Sequence, residues 1–149
     1  MHYQWHKTPA HTIRFSVEDK HIDVLGHANN CEYPKWMENV AWSHCEAAGL
    51  PFSRWQQLDY AWVARRTEID YQVPALKGDD IIAATWIEQN DKKLTMTRAY
   101  ELKRASDGVT LVRGQTQWVC IRLSRGKPAR MPVEFAEAFV VADDAAADS

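Results

Sequence analysis

Tyr33-Pro34-Lys35-Trp36-Met37-Glu38-Asn39-Val40-Ala41-Trp42-Ser43-His44-Cys45-Glu46-Ala47-Ala48-Gly49 is the stretch on which the fold turns. Tyr33, Trp36, Met37, Val40, Ala41, His44, Cys45 and Ala48 recur at the i, i+3, i+4, i+7 spacing that gathers side chains on one helix face. Lys35, Glu38, Asn39, Ser43 and Glu46 mark the opposite face. Gly49 stands where a left-handed C-cap belongs, and Pro51 stops continuation. Asn29 and Asn30 are the expected N-caps. Pro34 fits only the first turn, so the regular helix should start near Tyr33. No other segment carries a long helical signal. His44 is expected to pack in the core as part of this stripe.

Outward from that helix the pattern is extended. Upstream, Ile13, Phe15 and Val17 alternate with Thr12, Arg14 and Ser16, a half-buried strand over His11 to Glu18. Downstream, a strand opens at Tyr60. Unbroken alternation would put Trp62, Ala64 and Arg66 on one face and Val63, Ile69 and Tyr71 on the other. Ile81 to Glu88, Leu94 to Lys103 and Val109 to Leu123 read as further strands, separated by short polar turns. Short turns imply antiparallel neighbours. One apolar helix stripe needs one apolar sheet face. The expected class is α+β, with a helix lying across a curved antiparallel sheet. Pro132 is expected to open a short helix carrying Phe135 and Phe139, and a polar, unstructured tail is expected over 143–149.

Composition narrows the function. The chain has 149 residues, a net charge of -2, 46% hydrophobic and 26% charged residues. That length fits one domain of about 100–200 residues, expected over 1–142. A near-neutral balance argues against nucleic acid as a partner, since phosphate contacts need a basic surplus. No run approaches the roughly 18 apolar residues of a membrane span. The residues from Met1 to His11 lack an apolar signal-peptide centre, so a cytoplasmic location is expected. Cys31, Cys45 and Cys120 are scattered and read as reduced thiols. His21, His27, Cys31, His44 and Cys45 match no metal-ligand spacing, and no metal or cofactor is expected.

The chemistry should sit in His21-Ile22-Asp23-Val24-Leu25-Gly26-His27-Ala28-Asn29-Asn30-Cys31-Glu32-Tyr33, between a strand and the N-terminus of the long helix. Free backbone N–H groups there favour negative charge. Gly26 lets a ligand approach the backbone. Asp23 supplies a carboxylate able to act as base or nucleophile. A carboxylate beside a helix N-terminus suits acyl transfer, in which N–H groups hold the carbonyl oxygen. The alternative is a capped loop whose aspartate binds its own backbone.

This segment resembles the hotdog-fold acyl-CoA thioesterases of the 4-hydroxybenzoyl-CoA thioesterase type. Their signature is an aspartate, two residues, a glycine, often Asn-Asn, and a tyrosine opening the central helix. It stands here as Asp23-Val24-Leu25-Gly26-His27-Ala28-Asn29-Asn30 with Tyr33 and Trp36-Met37-Glu38. Weaker matches follow in order at Arg66-Thr67-Glu68-Ile69-Asp70-Tyr71, Pro74-Ala75, Gly78-Asp79, Trp118-Val119-Cys120 and Gly126-Lys127-Pro128-Ala129-Arg130-Met131-Pro132. His21 stands where family members often carry a second acid, and Pro34 replaces a helix former.

The resemblance implies a hotdog fold, a curved five-stranded antiparallel sheet wrapped around one long central helix. It implies hydrolysis of an acyl-CoA to free acid and CoA. Asp23 would be the catalytic carboxylate, and the Asn30 N–H would polarise the thioester carbonyl. Gly26, His27 and Tyr33 would contact substrate, and Lys92, Lys93 and Arg130 would hold coenzyme A phosphates. It also implies a homodimer paired through sheet edges, or a homotetramer. Two other readings stay open: a hotdog enoyl-CoA hydratase using Asp23 with His27, and a non-catalytic acyl-CoA-binding protein.

Overall fold

The computed structural model describes residues 2–145. Its elements are β1 (His11–Ser16), α1 (Glu32–Ala47), α2 (Phe52–Leu58), β2 (Tyr60–Tyr71), β3 (Asp80–Asn90), β4 (Thr95–Arg104), β5 (Thr110–Arg122), β6 (Lys127–Pro128) and α3 (Val133–Ala138). A 3-10 turn, Asp19–His21, follows β1. The sheet runs β1-β3-β4-β5-β2, antiparallel throughout, with the two-residue β6 added to β5, so β2 does not neighbour β3 as the short connection between them implied but crosses to the far edge and pairs with β5. The expected α+β architecture, a curved sheet of five long strands around one long helix, is therefore what the chain adopts.

The periodicity of α1 explains its place. Tyr33, Trp36, Met37, Val40, Ala41, His44 and Cys45 are all buried. Its first half packs with Ile81, Ala83, Tyr100, Leu102 and Val112, and Cys45 at its end packs with Trp55, Trp62, Phe135 and Phe139. Met37 of α1 packs directly over Gly114 of β5. A Cβ there would lie 3.0 Å from Met37 Cε and 3.0 Å from the Glu68 carbonyl, so a larger residue would have to move the Met37 side chain and crowd the β2 backbone.

Three expectations need correction. Neither Asn29 nor Asn30 is the N-cap of α1. That position is Cys31, and its side chain makes no capping bond. Asn29 instead closes the turn before the helix: its Oδ1 accepts the Cys31 N–H at 2.8 Å and its carbonyl accepts the Glu32 N–H at 2.9 Å. Pro34 falls in the first turn, where its missing N–H costs nothing.

Secondly, β2 does not alternate unbroken. A register shift between Ala64 and Arg66 inserts a residue and changes the parity of the strand. Ile69 consequently packs into the core against the same helix that Trp62 and Ala64 face. Arg66 turns out to solvent and pairs with Glu68 at 2.6 Å. Thirdly, α2 was not anticipated. Its seven residues follow Pro51 directly, and Trp55 anchors it in the core.

The opposite face of the sheet carries the N-terminal arm. Tyr3 donates to the Ala105 carbonyl at 2.8 Å, and the Lys103 ammonium lies over the Trp5 ring. The start of the expected tail is bonded to this arm, with Lys7 on Asp144 at 2.6 Å and the Thr8 N–H on the Asp143 carbonyl. Residues 146–149 lie outside those described. Among the described residues, no helix is long and apolar enough to cross a membrane.

Candidate functional site

The loop before α1 is tightly closed by its own backbone. The Asp23 N–H donates to the His27 carbonyl at 2.9 Å, and the Gly26 N–H returns to the Asp23 carbonyl at 3.0 Å. Gly26 makes this turn possible with φ at 79°. Ala28 is buried and donates to the Ala75 carbonyl, which ties the loop to the segment after β2. Val24 and Leu25 project from the tip into solvent.

Asp23 is held by two contacts. Its Oδ1 accepts the Leu25 N–H at 2.9 Å, and its Oδ2 faces the Asn29 side-chain amide at 3.4 Å. One oxygen thus serves the loop backbone, and the other is only weakly engaged. Asp23, His27, Asn29, Asn30, Tyr33 and Tyr71 line one cleft of about 340 Å³. The Asn30 carbonyl accepts from the Tyr71 hydroxyl at 3.3 Å, while its N–H meets no acceptor among the described residues. A carboxylate and an open backbone donor therefore border the same space at the entrance of α1. Tyr71 was not anticipated here; its position at the end of an edge strand, opposite the helix entrance, emerges only from the tertiary fold.

Tyr33 lines the cleft but is otherwise committed. Its ring packs edge-on against Trp36 and Tyr71, and its hydroxyl accepts the Ala75 N–H at 3.0 Å. Burial raises its pKa above the ordinary tyrosine value. It positions the segment after β2 more directly than it could bind a ligand.

A second, larger chamber of about 420 Å³ opens between α1 and the sheet. Met37, Trp42, Trp55, Trp62, Met96 and Trp118 line it. Its exposed rim is formed by Pro34 and Glu38 of α1, one helical turn beyond Asn30, and by Ala64 and Thr67 of β2. Arg98 of β4 lies deep in this chamber, at 1% exposure. Its Nη1 donates to His44 Nδ1 at 3.0 Å and to Thr85 Oγ1 at 3.1 Å. An arginine can only donate, so His44 must be the neutral tautomer protonated on Nε2. Burial, with the charges of Arg98 and His11 beside it, pushes the His44 pKa down to about 4. Arg98 escaped the sequence reading, although its alternation with Met96 and Tyr100 marks it as inward-facing.

The basic residues lie elsewhere. Lys92 and Lys93 sit in the β3–β4 turn, and the Lys93 carbonyl accepts the Met131 N–H at 2.7 Å, which brings Arg130 beside them. Through the register of β4 and β5, this cluster is level with Val63, whereas the cleft is level with Tyr71. Eight strand residues separate those levels, roughly 25 Å. A single chain does not bring Lys92, Lys93 and Arg130 to Asp23. Among the described residues, no group of three or more His, Cys, Asp or Glu side chains is placed to hold a metal.

Comparison with known proteins bears on this arrangement. The family model described as the thioesterase-like superfamily matches residues 17–139. The long-chain acyl-CoA thioesterase FadM of Escherichia coli (strain K12) is 25% identical over 125 residues, covering 83% of this chain and 92% of that one. Slr0204, a 1,4-dihydroxy-2-naphthoyl-CoA thioesterase from Synechocystis, superposes with a TM-score of 0.78 at 24% identity, covering 87% of this chain and 94% of that one. SAV2348 from Staphylococcus aureus, solved in complex with CoA, superposes with a TM-score of 0.80 at 18% identity, covering 92% and 85%.

Proposed function

The chain belongs to the thioesterase-like superfamily, and from that membership we propose that it hydrolyses acyl-CoA thioesters to the free acid and CoA. The observation that carries this reading is the cleft at the entrance of α1, bordered by the Asp23 carboxylate on one side and the open Asn30 N–H on the other. A thioester carbonyl between them would place its oxygen at the helix N-terminus, where developing negative charge is stabilised. Asp23 then attacks the carbonyl carbon or takes a proton from the attacking water; both routes use the weakly held Oδ2. The Leu25 N–H and the Asn29 amide keep the carboxylate turned toward the cleft. The acyl group passes Pro34 into the tryptophan-lined chamber, whose size and apolar walls suit a long chain. FadM's name as a long-chain acyl-CoA thioesterase is consistent with that fit.

Coenzyme A recognition by Lys92, Lys93 and Arg130 requires a second copy of the chain. β2 is an edge strand, and nearly all of it from Val63 to Tyr71 is exposed. Two copies paired antiparallel along β2 about a two-fold axis would set the Val63 end of one strand beside the Tyr71 end of the other. The basic cluster of one protomer would then flank the cleft of its partner. That pairing also covers an edge that a lone sheet leaves open. We place this homodimer, which can pair again into a tetramer, in the cytoplasm, with its three thiols reduced.

Asp23→Asn keeps side-chain size and the hydrogen bond to Leu25 but removes the base. Thiol release from palmitoyl-CoA should fall by about 10²–10⁴-fold, with the far-UV circular dichroism spectrum unchanged. A folded Asp23→Asn variant that releases thiol at the parent rate would refute the assignment. Loss of enoyl absorbance without thiol release would instead mark a hydratase.

A further inference from the structure

Arg98 is a buried cation with no anion beside it among the described residues. Its partners among the described residues are a neutral imidazole, a hydroxyl, and the Cys45 sulfur at 3.9 Å. Burial raises the Cys45 pKa, so that thiol stays protonated and supplies no countercharge. The guanidinium stacks near the Phe139 ring at 5.7 Å, an apolar wall on one side. No carboxylate pairs with it among the described residues. Isolated charge in such surroundings is strongly unfavourable unless something of opposite sign arrives.

The rest of the chamber repeats the bias. The indole N–H groups of Trp55 and Trp62 are buried without any acceptor. The hydroxyls of Thr67, Thr116 and Tyr100 are occupied with one another, at 3.0 and 3.3 Å. The single acid along the lining is Glu38, exposed at the mouth. A chamber built only for a hydrocarbon chain has no use for an unpaired guanidinium at its floor. From these observations we propose that the acyl chamber selects chains whose far end carries a carboxylate, received by Arg98: the substrates are CoA thioesters of long α,ω-dicarboxylic acids.

The distances are compatible. Arg98 is level with His44 and Cys45, about eleven residues along α1 from Pro34, which adjoins the proposed thioester cleft. At 1.5 Å per residue that is roughly 16 Å, the reach of a long extended chain and well beyond a short acyl or a single aromatic ring. A bidentate carboxylate would engage the guanidinium donors left free by His44 and Thr85. A methyl end at the same place would leave Arg98 uncompensated. This specificity rests on the thioesterase reading above.

The test measures kcat/KM by thiol release for paired substrates of equal length, methyl-ended and ω-carboxylated, from dodecanoyl-CoA to hexadecanoyl-CoA. The parent should prefer the carboxylated member by about tenfold or more, because a site built around a buried polar group discriminates against a ligand lacking its partner. In Arg98→Met that ratio should fall to one or below. Arg98→Lys, which keeps the charge without the fork, should retain part of the preference. The parent ratio needs no variant to fold. Calorimetry of dodecanedioic against dodecanoic acid reads the same pocket without turnover, so an enzyme inactive on every thioester sinks the reaction while leaving the pocket decided. Equal or weaker use of the carboxylated chains by the parent, or equal binding of the two acids, overturns the proposal. So does a preference unchanged in both variants.

Discussion

β4 buries Arg98 and Glu101 three residues apart, on opposite faces, and the two charges are treated in opposite ways. Glu101, at 0% exposure, faces the N-terminal arm. Its carboxylate accepts the His6 N–H at 3.0 Å and the Thr110 hydroxyl at 2.8 Å, and pairs with Lys103 at 3.3 Å and Arg113 at 3.2 Å. Burial alone would raise its pKa, but those hydrogen bonds and the two cations outweigh it and hold the group below the ordinary glutamate value. Arg98, on the concave face, has no carboxylate partner among the described residues. A saturated buried charge is a structural fastening. An unsaturated one beside a cavity is a place for a ligand.

Removing the fastening should have the largest effect. Glu101→Ala leaves Lys103 buried without its partner and frees the N-terminal arm from the sheet. Urea denaturation should show a loss of about 3–5 kcal/mol, the range for breaking a buried pair from one side. A loss under 1 kcal/mol would erase the contrast between the two faces.

Acid should separate the faces next. His44 beside Arg98 has its pKa lowered from 6.5 to about 4. Between those values the unfolded chain binds the proton and the folded chain does not, so stability falls as pH falls from 6.5 toward 4 and then levels off. The shift corresponds to about 3 kcal/mol. Glu101 responds later: its contribution is complete above its unfolded value near 4.5 and is lost only as pH drops through its lowered folded value. His44→Asn, which keeps an acceptor for Arg98, should remove the loss between pH 6.5 and 4.5 while leaving the steeper fall below it. Melting temperatures across that range would show a single slope if the two faces were alike.

The smallest effect should come from Arg98 itself. With no ion pair to break, Arg98→Met should lower stability by no more than about 1 kcal/mol, since well-packed apolar replacements of buried charge are often neutral or stabilising. It should also raise the His44 pKa, because a neighbouring positive charge has gone. Heat and pH titration of this one variant therefore sharpen the difference from Glu101→Ala.

These contrasts mark where the sequence was legible. The stripe from Tyr33 to Cys45 is regular because a single helix lies against a single sheet face, and every member of it is buried. The β3–β4 and β4–β5 turns carry their own polar signals and join sheet neighbours, but β2 pairs with β5 rather than with the β3 that follows it, and no local turn announces that crossover. Asp23 and Asn30 could be placed on one cleft because loop and helix entrance adjoin in the chain. What failed was set at longer range. The bulge after Ala64 is one inserted residue, silent in composition, yet it reverses which side chains of β2 meet the core. Arg98 was missed because a charge in a strand reads as solvent-facing unless its neighbours on both sides are weighed. The basic cluster at Lys92, Lys93 and Arg130 was identified as a type but not as a place, since its relation to Asp23 depends on strand register across half the sheet.

The seven tryptophans of this short chain finally bear on how it can be observed. Trp42, Trp55, Trp62 and Trp118 surround the acyl chamber, and Trp42 and Trp55 have their rings 4.7 Å apart. Indole emission shifts colour with the polarity around it and dims when a quencher comes near. Four of the seven indoles therefore border the space where the acyl chain would lie, and filling or emptying of that space should report itself in the protein's own emission without any attached label.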